Sequence, residues 1–401
     1  MIIDAHTHLG LNSFCDPKTE PFKYDLENTP ENLIDVMNRF QIKKAVILPI
    51  PGDNYDSKLS NQYLFEAKLK YPNRFLPFCK FDDDLVNNLM ERGFYGAKFH
   101  MVYETYKETK LNSYFKILEY YGFPLIIHAK FANKSDQIKK ILSVAPNIKI
   151  ILAHMGRGHI YTDEMIDDLL YEFKDYNNIY FESSTVGRSR MIEHACEILG
   201  ANRVMFGSDF PFGKAWFKDS YLYSDDLNTI YNAKITEEER EWVFGNTILS
   251  IIQEVDMRRS GFCVRPVFQS DVQTILDKIY ELSEEDRRFL AFNSKKTLIK
   301  QKIKERKHVF VAVENGNIIG LLRESGRLNN KHLLEEFIVF KDFRGMGYAK
   351  KMMEFYCTFF PNSLAKTCTN NMRMNNLLSH FKFTKIKEGQ RIIDWTHNNG
   401  I

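Results

Sequence analysis

Ile2-Ile3-Asp4-Ala5-His6-Thr7-His8 is an apolar run that ends in two histidines one residue apart. On a strand, positions i and i+2 point to the same side. His6 and His8 therefore aim two imidazoles at one point, which is what a divalent ion needs. Three further strand-like runs lead into residues of the same chemistry: His128, His154 and Asp209.

The first part of the chain repeats one theme, a short apolar run, a loop and a helical pattern. After the opening run come Ala45-Val46-Ile47-Leu48-Pro49, Phe75-Leu76-Pro77-Phe78 and Gly96-Ala97-Lys98-Phe99-His100. Pro124-Leu125-Ile126-Ile127-His128, a run from Ile148 to His154, Ile179-Tyr180-Phe181-Glu182 and Val204-Met205-Phe206-Gly207 follow. Eight strands separated by helix-length segments predict an α/β chain with a (β/α)8 TIM barrel over residues 1–256. Helices are expected over Pro30–Arg39, Ser135–Val144 and Asp163–Phe173. A last one runs to Ile252, with Thr236 as N-cap and Glu239 completing a capping box. Chemistry in such a barrel sits at the C-terminal ends of the strands, so His6, His8, His128, His154 and Asp209 converge on one mouth. Imidazoles with a carboxylate suit one borderline divalent ion, zinc first, with manganese, iron or cobalt also compatible.

Near Asp256-Met257-Arg258-Arg259-Ser260-Gly261 the rhythm changes. A Ser-Gly step ends the helix, and a strand starts at Cys263. Helical patterns over Asp271–Leu282 and Lys295–Lys307 precede strands at Val309–Val313, Asn317–Leu322 and Leu333–Phe340. Asn315-Gly316 marks a hairpin. The tail reads as helix, strand, helix and two short strands. Residues 262–401 thus form an α+β domain of their own. Its strand Glu335-Glu336-Phe337-Ile338-Val339 leads into Phe343-Arg344-Gly345-Met346-Gly347-Tyr348-Ala349 and a helix. A glycine-bearing turn there offers backbone N–H groups and the positive dipole end to a pyrophosphate.

Composition sets the bounds. The 401 residues are 44% hydrophobic and 27% charged, with a net charge of +3. That balance gives no ground for nucleic acid as a partner. The basic cluster Lys300–Lys307 reads as a solvated helix face. The six cysteines, Cys15, Cys79, Cys196, Cys263, Cys357 and Cys368, form no Cys-x-x-Cys pair, so no disulfide framework is expected. No signal segment is visible, and no apolar run reaches the ~18 residues of a membrane span. A reducing cytoplasm and small-molecule substrates are the expectation, and a homodimer is compatible with the sequence.

Asp4-Ala5-His6-Thr7-His8, Ile127-His128, Leu152-Ala153-His154-Met155-Gly156 and Phe206-Gly207-Ser208-Asp209-Phe210-Pro211 resemble the amidohydrolase superfamily over roughly residues 1–253. They are most like the branch that includes aminocarboxymuconate semialdehyde decarboxylase. The resemblance implies metal ligation by His6, His8, His128 and Asp209, with His154 orienting or activating a water. That water is expected to lose its proton with help from His154 or Asp209. It implies hydrolysis of a C–N or C–O bond, or decarboxylation. A strand-4 lysine bridges two ions in two-metal members, a role open to Lys98. The Lys98-Phe99-His100 step looks more like the one-metal branch, in which Lys98 and His100 bind a substrate carboxylate. Arg157, His159 and Arg188, on loops after strands, are candidates to hold an anionic substrate. Glu182 is a candidate to contact substrate or support a ligand.

Residues 262–397 resemble the GNAT N-acetyltransferases. Arg344-x-x-Gly347-x-Ala349 fits their acyl-CoA motif, and Asn371 with Phe383 fits a downstream segment. The resemblance implies acetyl-CoA on the amides of Arg344, Gly345, Met346, Gly347, Tyr348 and Ala349, with the Ile338 and Val339 backbone along the pantetheine. Glu336 or Glu335 would be the base for an amine. Leu378 stands where many members have a tyrosine acid, and Lys382 where a glycine is usual. The expectation is a bifunctional enzyme, a metal-dependent amide or ester hydrolase and an acetyl-CoA-dependent N-acetyltransferase. The alternatives are a decarboxylase fused to an acyl-CoA-binding domain, and a non-enzymatic sensor of metal and acyl-CoA.

Overall fold

The computed structural model describes residues 1–19, 26–129, 134–156, 163–212, 223–284, 286, 303, 308–328 and 330–397. The chain divides into two compact units, Met1–Arg258 and Arg259–Ile401.

The first unit carries eight parallel strands in sequential order: β1 (Ile3–Leu9), β2 (Lys44–Pro49), β3 (Phe75–Lys80), β4 (Gly96–His100), β5 (Leu125–His128), β6 (Ile150–Leu152), β7 (Ile179–Glu182) and β8 (Val204–Met205). All eight expected runs are strands, and the sheet is a near-closed TIM barrel. Backbone hydrogen bonds join the last segment to the first: Ala5 N–H to the Phe206 carbonyl at 2.9 Å, Asp209 N–H to His6 at 2.8 Å and His8 N–H to Phe210 at 2.7 Å. The Pro30–Arg39 helix begins on a Thr29 cap, and Thr236 with Glu239 forms the expected capping box. The closing helix runs through Ile252 to Ser260, where the Ser-Gly step ends it.

A packed core of Ile3, Ala5, Val46, Leu48, Leu76, Phe78, Ile126, Ile151 and Met205 lies below the mouth, with Ile248, Ile251 and Ile252 against it. In strict alternation Ile3 and Ala5 would share their side of β1 with Thr7, not with His6 and His8. The pairing of β1 with β2 steps from Asp4↔Ala45 to Thr7↔Ile47, three residues against two. This bulge flips the side presented. Ile3 and Ala5 enter the core, and His6 and His8 then face the cavity above it.

The second unit holds β9 (Cys263–Pro266), β10 (Val309–Glu314), β11 (Asn317–Leu328), β12 (Lys331–Val339), β13 (Ser363–Cys368), β14 (Thr384–Glu388) and β15 (Ile392–His397). They form one mixed sheet in the order β14-β15-β13-β12-β11-β10-β9. Neighbours are antiparallel except β12 and β13, whose parallel pairing stops at Leu334↔Ala365. Beyond that point the edge of β12 from Glu335 to Val339 has no pairing with β13. Asn315 and Gly316 turn the β10–β11 hairpin, as expected. The helix expected over 295–307 lies, apart from Ile303, outside the described residues.

Among the described residues, no helix is long and apolar enough to cross a membrane.

Candidate metal centre

Both histidines of β1 are held by the nitrogen that faces away from the cavity. His6 Nδ1 lies 2.7 Å from Glu182 Oε2, and His8 Nδ1 lies 2.8 Å from the Pro49 carbonyl. The Pro49 carbonyl accepts from His8 Nδ1, and Glu182, a carboxyl that burial raises to about 8, accepts from His6 Nδ1 in its ionised form; in that arrangement each Nε2 keeps its lone pair. The two Nε2 atoms stand 3.2 Å apart, and Asp209 Oδ1 is 3.3 Å from His6 Nε2 and 3.2 Å from His8 Nε2. Donors at ~2.0–2.1 Å from a tetrahedral zinc are separated by ~3.3–3.4 Å. The triangle therefore fits one face of a metal's coordination shell. Burial, followed by the nearby positive charge of Lys98, holds His6 well below the usual histidine range. A neutral imidazole is the form that ligates.

Asp209 reaches this point from a left-handed backbone conformation, φ 57°, in the turn after β8. Asp4, fully buried, fixes that turn. Its Oδ1 accepts the N–H groups of His6 at 3.0 Å and Ser208 at 3.1 Å; its Oδ2 accepts the Ser208 hydroxyl at 2.6 Å and the Tyr223 hydroxyl.

His154 corrects one expectation. β6 ends at Leu152, and His154 sits beyond it in a left-handed turn, φ 57°. Its Nδ1 lies 2.8 Å from Ser184 Oγ and 3.2 Å from the Ser184 carbonyl, and its Nε2 lies 3.9 Å from Asp209 Oδ2. Donor atoms that all lie within 4.8 Å of one another form two groups among the described residues: His6, His8 and Asp209, and His6, His154 and Glu182. His128 belongs to neither, although its ring lines the same cavity 4.9 Å from that of His154 and stacks on His100 at 4.0 Å.

Lys98 brings a buried ammonium to the same place, with Nζ 3.3 Å from His6 Nε2. Burial lowers it to about 8, against the raising effect of Asp209 and Glu182. His100 lies between the rings of His128 and Tyr103, and its buried Nδ1 has no hydrogen-bond partner among the described residues. Pro51, Val102, Tyr103 and Phe212 supply the apolar wall. Arg188 is exposed and pairs with Asp163. Arg157 and His159 lie outside the described residues.

Residues 3–249, more than half of the chain, match the family model described as amidohydrolase. The chain belongs to the amidohydrolase family. A comparison with curated proteins gave no match. Among solved structures, a probable 2-pyrone-4,6-dicarboxylic acid hydrolase from Acinetobacter baumannii with citric acid bound is similar at a TM-score of 0.53 and 15% identity, over 63% of this chain and 99% of that one. The 5-carboxyvanillate decarboxylase from Sphingomonas paucimobilis is similar at 0.50 and 14%, over 63% and 98%. At these identities the likeness is one of fold.

Beyond the amidohydrolase barrel, the second unit carries the glycine turn. Gly345 and Gly347 adopt φ 82° and 85°, and a Cβ on either would meet nothing within 4 Å. Gly347 caps the Tyr348–Phe359 helix without a side chain of its own to bond the first-turn N–H groups at Tyr348 and Ala349. Met346 is exposed beside them. The turn fits a diphosphate-bearing cofactor. The Arg344 guanidinium donates to the Val339 carbonyl at 3.0 Å and lies 3.1 Å from Asp286. Phe340 N–H donates to Ile319 at 2.9 Å, and the Ile338 carbonyl lies 2.4 Å from where a Gly320 Cβ would stand. Ile338 thus turns its backbone to β11, while alternation turns that of Val339 to the open edge. Glu336 is buried and Glu335 pairs with Arg323. Asn371 caps the Met372–His380 helix by accepting Met374 N–H at 3.2 Å. Leu378 is fully buried. Residues 272–383 match the family model described as acetyltransferase (GNAT) family.

Proposed function

We propose that the barrel is a metal-dependent hydrolase of a small-molecule amide or ester, and that the second unit is an acetyl-CoA-dependent N-acetyltransferase. The observation that carries the first half is the triangle of His6, His8 and Asp209 donors at 3.2–3.3 Å. His6, His8 and Asp209 would hold the ion, zinc first, with His128 a fourth donor on the wall. A bound divalent ion supplies Lewis acidity, polarising a carbonyl and making water acidic near neutral pH. His154 Nε2, on the cavity side, accepts the proton of the attacking water and returns it to the leaving amine or alkoxide. Lys98 and His100 hold an anionic substrate group, and the apolar wall excludes water. Arg157 is the further candidate for that group.

In the second unit the amides from Arg344 to Ala349 would cradle the diphosphate of acetyl-CoA, and Val339 would line its pantetheine arm. Glu336, or Glu335, would receive the proton of the acceptor amine.

The test is a panel of small amides and esters of carboxylate-bearing compounds, assayed with added zinc and after chelation. Chelation should abolish turnover and zinc should restore it. Turnover that survives chelation sinks the reading.

Non-oxidative decarboxylation is the second reading. Lys98, buried within 3.3 Å of His6 Nε2, would hold the carboxylate that leaves. Carbon dioxide release without amine or alcohol release would favour it.

A further inference from the structure

Glu182 is fully buried and meets three N–H or O–H donors and the His6 imidazole. Its Oε2 lies 2.7 Å from His6 Nδ1, accepts the Ser184 hydroxyl at 2.8 Å and accepts the His154 N–H at 3.2 Å. Its Oε1 accepts the Ser184 N–H. Ser184 spends its one hydroxyl proton on Glu182, so its Oγ meets His154 Nδ1 as an acceptor. The Ser184 carbonyl, 3.2 Å from the same nitrogen, accepts as well. Gly207 leaves room for this carboxylate: a Cβ there would stand 2.1 Å from Glu182 Oε1.

We propose that Glu182 and Ser184 are a positioning pair that sets the tautomer of two histidines at once. Glu182 holds His6 with Nδ1 protonated and Nε2 toward the ion. Through Ser184 it holds His154 in the same tautomer, with Nε2 unprotonated on the cavity side. One carboxylate thereby readies a ligand and a base that come from different strands, β1 and the turn after β6. Neither residue touches the reacting atoms. This rests on the metal-dependent reading for its purpose, and its geometry stands apart from it.

The test is nitrogen-15 imidazole spectroscopy on the metal-free full-length chain, with signals assigned by omission in His6→Ala and His154→Ala. Wild type should show Nδ1–H at both rings. Ser184→Ala should weaken the Nδ1–H preference of His154, whose Nδ1 keeps the residue 184 carbonyl at 3.2 Å and Thr185 Oγ1 at 3.4 Å, and should leave His6 unchanged. Glu182→Ala should release both. It should also weaken zinc about 10–100-fold, as loss of a ligand's supporting partner does, whereas Ser184→Ala should leave zinc affinity within about twofold. An Nε2–H tautomer at either ring of wild type overturns the pairing, whether or not metal binds. So does a Ser184→Ala protein in which His154 is unchanged. Wild type with both rings as Nδ1–H but no zinc uptake supports the pairing and sinks the metal-dependent reading alone.

Discussion

Ser208 donates its hydroxyl to Asp4 Oδ2 at 2.6 Å and its N–H to Asp4 Oδ1 at 3.1 Å, across the seam where the last strand meets the first. Asp4 thus sets the turn that carries Asp209 to the two histidines of β1. Asp4→Ala leaves the His6 and Ser208 N–H groups and two hydroxyls without their acceptor. The expected cost is on the order of 3 kcal/mol, seen as a lower midpoint in urea unfolding. Metal affinity should fall with it. Unchanged stability would show that the seam is held elsewhere.

Gly207 has an ordinary backbone, and its lack of a side chain answers to space. Gly207→Ala should push Glu182 from its seat and cost about 1–3 kcal/mol by overpacking. The larger effect should fall on zinc affinity, measured by competition with a chromophoric chelator. Gly187→Ala is the contrast: a Cβ there meets nothing within 4 Å, so backbone strain at φ 66° is the sole expected penalty and zinc affinity should hold.

Burial pushes the Cys196 thiol up to about 12, and those of Cys263 and Cys357 to about 11, from an ordinary 9.0. The thiolate is the charged and reactive form, so a raised pKa means less of it at any pH below the shifted value. A two-unit rise leaves roughly a hundredth of the usual thiolate at pH 8. Iodoacetamide should label these three at least ~100-fold more slowly in the native chain than in denaturant. Their rates should still be rising at pH 10. A rate that levels off between pH 8 and 9, followed by mass spectrometry, would contradict this.

In the second unit, Gly347→Ala forces a Cβ onto φ 85° with open space around it. Strain of about 1–2 kcal/mol should appear in the turn, and acetyl-CoA affinity should drop about tenfold. Calorimetric titration of acetyl-CoA into both proteins measures it. Equal affinities would remove the turn from the cofactor's path.

Much of this was legible in the sequence, for a physical reason. Parallel strands buried on both faces read as apolar runs, and the runs ending at His6, His128 and Glu182 declared both the barrel and its chemical end. What could not be read depends on neighbours that only closure creates. The bulge in β1 decides that Ile3 and Ala5 join the core while His6 and His8 face the cavity, and no local pattern announces it. The tie between Glu182 and His6 spans 176 residues and needs the barrel to close, so that only β8 stands between β7 and β1. Ser184 carried no signal, since a serine after a strand is ordinary turn chemistry. His154 was identified by type, but its left-handed turn was not. The GNAT resemblance groups the Ile338 and Val339 backbone, and strand alternation turns the two to opposite edges.

The central claim is that His6, His8 and Asp209 hold one divalent ion in the barrel mouth. Calorimetric titration of zinc into the metal-free full-length chain tests it directly, beside a His6→Ala, His8→Ala double variant whose fold is checked by circular dichroism. The prediction is one ion per chain in the wild type, and affinity at least ~100-fold weaker in the folded double variant. Equal zinc binding by the two proteins, or none by the wild type, would contradict the account.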